Sequence, residues 1–138
     1  MFFLALFSCN PSFGTTDRLA KITKVTINYE GNIDKPLPAI VFCLSCKESV
    51  SVRKYVFNMK ADFFEELAAF ISLNKYSKKG EGNIMLSVNI QCKDRKRMFF
   101  FKKNNARLFI EQTIKISKSK SNELMKQQLA KYKKILGV

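Results

Sequence analysis

Residues Ile84–Cys92, IMLSVNIQC, alternate apolar and polar side chains along nearly their whole length. Ile84, Leu86, Val88 and Ile90 fall on one side, and Ser87, Asn89 and Gln91 on the other. A period of two suits a strand with one buried face and does not suit a helix. Beyond a charged turn, Lys93-Asp-Arg-Lys96, a second run at 98–101 (MFFF) is apolar on both faces. Together they predict a β-hairpin. A half-buried hairpin needs more strands and a cover for its apolar side, so the rest of the chain is read against that need.

Further strands lie upstream. Ile22–Tyr29 sets Val25, Ile27 and Tyr29 against Lys24, Thr26 and Asn28. Residues 30–38 (EGNIDKPLP) make a turn, 39–44 (AIVFCL) a central strand, and 50–57 (VSVRKYVF) its antiparallel partner. The cover comes from helical patterns. Asp62 and Glu65 fit a capping box, followed by Phe63, Leu67, Phe70 and Ile71 at helical spacing to residues 73–74. After a polar loop at 75–83, residues 106–117 fit either period. Phe109, Ile110, Thr113 and Ile114 suit a helix; Leu108, Ile110, Ile114 and Ile116 suit a strand. An N-cap at Asn104 or Asn105 favours the helix. A last helix is capped by Ser121, carries Leu124, Leu129, Tyr132 and Leu136, and stops at Gly137. The predicted fold is α+β: an antiparallel sheet of four to five strands with two or three helices on one face. The length of 138 residues favours one such domain, over residues 20–138.

Charge is unevenly placed. Of the net +14, residues 93–138 hold 14 basic and 3 acidic side chains. The candidate anion-binding residues are Arg95, Lys96, Arg97, Lys102, Lys103, Lys126, Lys131, Lys133 and Lys134. Such asymmetry points to an anionic surface, a protein partner or nucleic acid, against the alternative of a solvated lysine face. Lysine outnumbers arginine there, which suits diffuse charge better than bidentate phosphate recognition. Basic and aromatic residues interleave over 95–103, as on sheets that stack nucleic-acid bases, but the Gly-Phe of the RNA-recognition signature is missing.

Catalytic chemistry finds little purchase. There is no histidine, which removes the commonest general base and metal ligand. Cys43-Leu-Ser-Cys46 has thioredoxin spacing, yet a turn and a strand follow it where a helix is needed to lower the thiol pKa. Four cysteines would all be required for a closed zinc site, and no second CxxC exists. No metal, no cofactor and no enzymatic activity are expected. Cys43, Cys46 and Cys92 are candidates for a disulfide or a thiol, and the sequence leaves all three pairings among them open.

Residues 1–9 (MFFLALFSC) carry an unbroken apolar run, then Ser8 and Cys9. Leu6-Phe7-Ser8-Cys9 resembles the lipobox of bacterial lipoproteins; Leu6, Ser8 and Cys9 match it, and Phe7 stands where a small residue is usual. The resemblance implies that residues 1–9 are a partial signal peptide, that residues 10–19 are a linker, and that Cys9 is the mature N-terminus, lipidated and tethered to the membrane of a bacterial cell envelope. No basic residue precedes Cys9, so the expected start lies upstream of Met1. With Cys9 lipidated, the other three thiols give at most one disulfide and a spare. The competing expectation is a cytoplasmic nucleic-acid-binding module using 95–103, and a third is a thiol-redox protein using Cys43 and Cys46.

Overall fold

The computed structural model describes residues 22–31, 37–47, 51–73, 76–78, 80, 82–92, 95–117 and 122–137. The expectations at residues 1–19, at Ser121 and across most of the 30–38 turn lie outside them. In chain order the elements are β1 (Ile22–Tyr29), β2 (Ala39–Cys43), β3 (Lys54–Asn58), α1 (Ala61–Leu73), β4 (Ile84–Cys92), β5 (Arg95–Lys102), α2 (Lys103–Ser117) and α3 (Glu123–Leu136). The fold is α+β. Five strands form one sheet in the order β3-β2-β1-β4-β5.

The predicted hairpin is present: β4 and β5 pair antiparallel, Val88 opposite Phe99 and Leu86 near Phe101. The second strand begins earlier than expected, because Arg95 and Lys96 belong to β5 and not to the turn. Nor are both its faces buried: Phe99 and Phe101 turn inward, whereas Met98 is exposed. The 39–44 strand is interior, but the central place belongs to β1, which pairs antiparallel with both β2 and β4.

One expectation is overturned. β3 runs parallel to β2, Ala39 opposite Lys54 and Cys43 opposite Asn58. The reason lies at the end of β2. Ser45 takes a left-handed φ of 60° inside the Cys43–Cys46 disulfide turn. Ala39 N donates to Arg53 O at 2.9 Å, so the residue before β3 lies beside the first residue of β2 and the two strands run the same way, where a tight hairpin would have reversed them.

All three helices lie on the sheet face that carries Val25, Ile27, Phe42, Val88 and Phe101. Phe63 of α1 meets Phe42 with ring centroids 4.7 Å apart, and Phe109 of α2 stacks on Phe101 at 5.3 Å. Tyr132 of α3 packs edge-on against Tyr29 at 6.5 Å. Burying rings of this size is the main favourable term, roughly 1.5–3 kcal/mol for each fully buried large side chain. The ambiguous 106–117 segment is helical: Ala106, Phe109, Ile110 and Thr113 are buried together, which period 3.6 delivers and period 2 does not.

The helix starts need correction. α1 opens at Ala61, so Asp62 sits inside its first turn and helps through the helix dipole, not as the cap. α2 opens at Lys103, placing Asn104 and Asn105 within it. α3 is capped by Asn122, whose side-chain oxygen accepts from Met125 N at 3.1 Å. Its buried stripe is Met125, Gln128, Leu129, Tyr132 and Leu136, with Leu124 left 39% exposed. Gly137 closes α3 at a φ of −86°, without the left-handed turn that a glycine there suggests.

Tyr132 ties the outermost helix to the sheet. Its hydroxyl donates to Pro38 O at 2.7 Å and lies 3.4 Å from Ile27 O. Burial raises its pKa, and the charge of Glu30 adds to the effect, so the folded state keeps the phenol protonated. Its contribution is complete below about pH 10, the unfolded tyrosine value, and is lost as pH rises from there. In urea unfolding, Phe42→Ala is expected to cost about 3–5 kcal/mol and Tyr132→Phe about 1–2 kcal/mol. Tyr132→Phe should also lose stability less steeply than the parent chain above about pH 10.

Candidate anion-binding surface and cysteine sites

The basic residues are exposed, but they do not form one patch. Arg95, Lys96 and Arg97 stand at the start of the edge strand β5, while Lys102 ends it and Lys103 opens α2. Five residues of strand separate Arg97 from Lys102, roughly 17 Å. Strand alternation further divides the first group. Arg97 points to the helix side, its guanidinium 5.5 Å from the Phe99 ring centroid, and Lys96 points to the opposite side.

That geometry also bears on stacking. Of the aromatic residues interleaved with these cations, Phe99 is 3% exposed and Phe101 is fully buried. Both belong to the core and have no face free for a base. Phe100 is half-buried on the other side, beside a backbone bond from Ser77 N to Phe100 O of 2.7 Å that covers part of the β5 edge.

A third group lies on α3. Lys126, Lys131, Lys133 and Lys134 are all exposed. Lys126, Lys133 and Lys134 border a groove of about 650 Å³ between α3 and the last turn of α2, and Lys131 is not part of that groove. Ser117, at the groove, is roughly 21 Å along α2 from Lys103. The groove residues escape a sequence reading that looks only for charge runs. Lys126, Ala130, Lys133 and Gly137 recur at helical spacing, and that stripe is the signal that could have found them.

Two acidic residues, Glu111 and Glu123, are the only ones in α2 and α3. Lys133 and Lys134, in the last turn of α3, are matched by its carbonyl end and by no carboxylate on the same helix. The acidic pair Glu65 and Glu66 is exposed on α1. Glu30 instead accepts a 2.6 Å hydrogen bond from Ser87 Oγ, a structural contact between β4 and the end of β1.

The cysteines are settled in part. Of the three pairings left open, the structure holds Cys43–Cys46, with Cα atoms 5.5 Å apart. Cys43 is fully buried at the end of β2, and Cys46 N donates to Asn58 Oδ1 at 3.0 Å. The next described element after Cys46 is the strand β3, so no helix N-terminus stabilises a thiolate at either sulfur. Cys92 is disulfide-bonded as well. Among the described residues, no group of three or more cysteine or carboxylate side chains could hold a metal ion, and no helix is long and apolar enough to cross a membrane.

No family model, curated protein or solved structure matches the chain. The Cys43–Cys46 bridge closes a very short loop, so its chain-entropy contribution is small, about 2 kcal/mol. Cys46→Ser is expected to lower stability in urea by that amount and to leave the circular dichroism spectrum unchanged.

Proposed function

We propose that this chain is a bacterial envelope lipoprotein, tethered through Cys9, whose α+β domain binds an anionic surface or a protein partner and does not catalyse a reaction. The observation that carries the reading is the lipobox-like Leu6-Phe7-Ser8-Cys9 ahead of a domain closed by a disulfide. Disulfides persist in exported proteins and are rare in the reducing cytosol. The exposed lysines of α3 add a second support: near an anionic leaflet each contributes about 1 kcal/mol of attraction.

The primary test is acyl labelling in a bacterial host. Label should enter the chain and disappear in Cys9→Ser. An unprocessed, unlabelled product would reject the tether. The basic surface is tested separately, with Cys9→Ser chain and vesicles containing anionic lipid. Replacing Lys131, Lys133 and Lys134 by Gln should weaken binding on the order of 10–100-fold at low salt; unchanged binding would reject the surface.

A further inference from the structure

The groove beside α3 combines an apolar floor with a cationic rim. Its floor is apolar: Leu129 is fully buried beneath it, Ile114 flanks it from α2, and Ala130 opens it to solvent with the smallest of side chains. Its rim is cationic: Lys126 stands at one end, and Lys133 and Lys134 stand two turns further along the same helix. Seven residues of helix separate Lys126 from Lys133, roughly 10 Å. At about 650 Å³ the groove falls within the roughly 300–1,000 Å³ of sites that hold small molecules.

From these features we infer that the groove is a binding site for a single-chain anionic amphiphile of the fatty-acid class. The acyl chain lies over Ile114, Leu129 and Ala130. The carboxylate meets the ammonium groups of Lys133 and Lys134. Lys126 covers the far end of the chain with its methylene stem while its charge stays in water. Charge complementarity selects this occupant. A neutral apolar ligand would leave the ammonium groups of Lys133 and Lys134 without a counter-charge from α3, whose last three turns contain no acidic residue. A bare anion would leave the apolar floor wet. The negative end of the α3 dipole opposes an anion at this place, and the two ammonium groups outweigh it at closer range.

The inference does not depend on the tether. It rests on the helical pair α2–α3 and would stand if Cys9 carried no lipid. It also differs from vesicle binding, which any exposed lysine can support.

The test uses the full 138-residue chain and 11-(dansylamino)undecanoic acid below its micelle concentration, followed by dansyl fluorescence. Saturable one-to-one binding is expected, displaced by laurate and not by acetate or dodecanol at the same concentration. Two variants at exposed positions divide the site. Lys133→Gln with Lys134→Gln should raise the probe Kd about tenfold, the worth of two exposed charge pairs. Ala130→Trp should abolish saturable binding by filling the groove while every lysine stays in place. Circular dichroism and urea unfolding check that each variant remains folded. Absence of saturable binding, equal displacement by acetate and laurate, or unchanged affinity in Ala130→Trp would each overturn the site. Loss of vesicle binding in the lysine variants with fatty-acid binding intact would overturn the placement of the carboxylate.

Discussion

Val25 and Ile27 stand on the central strand with an apolar neighbour on either side. Phe42 and Ile40 face them across β2, Ile90 and Val88 across β4. All six are essentially removed from water. This row is the floor on which the three helices rest, and each helix reaches it with a ring: Phe63 at the Phe42 end, Phe109 beside Phe101, and Tyr132 above Tyr29. Because protein interiors are packed as densely as organic crystals, removing one of these rings leaves a cavity that the neighbours fill only in part. Tyr132 adds direction to the packing. Its hydrogen bond to Pro38 O fixes where α3 lies, and therefore where the groove beside α3 opens.

An apolar row of this kind excludes charge from the middle of the sheet's helix side, and the chain carries a large surplus of one sign. With 25 basic and 11 acidic residues, more than half of the cations have no acid to match them. The fold spreads them along the edge strand β5 and around α3. Spreading limits mutual repulsion, yet the charge remains on the molecular surface as a field that attracts anions. At the α2–α3 groove that field coincides with accessible apolar lining. There the surface changes from generally attractive to chemically selective.

Much of this fold was legible in the chain because the strands and helices carry clean periods. Ile22–Tyr29 and Ile84–Cys92 have the bounds that alternation gives them, and Phe63, Leu67 and Ile71 lie on the buried face of α1. The failures share a cause: they concern backbone geometry that composition does not encode. The parallel pairing of β3 depends on how the disulfide turn at Cys43–Cys46 redirects the chain. Helix starts depend on which of several neighbouring polar residues reaches a free N–H, and Asn122 does so for α3. The candidate surface was legible as a list of lysines and arginines, not as a site. Sequence order gave no sign that β5 splits its cations between its two ends, or that Ile114 comes to lie beside Lys133.

If the apolar row holds the domain together and the positive charge is surplus to folding, the dependence of stability on salt has a definite sign. Urea is the denaturant to use, because it carries no charge of its own. Raising sodium chloride from about 20 mM to about 200 mM shortens the Debye length from roughly 20 Å to about 7 Å. Screening then weakens the repulsion among unmatched lysines and arginines, and the urea midpoint should rise. A midpoint that falls over the same range would mean that internal ion pairs help to hold the fold, and that the basic surface is already neutralised by the chain itself.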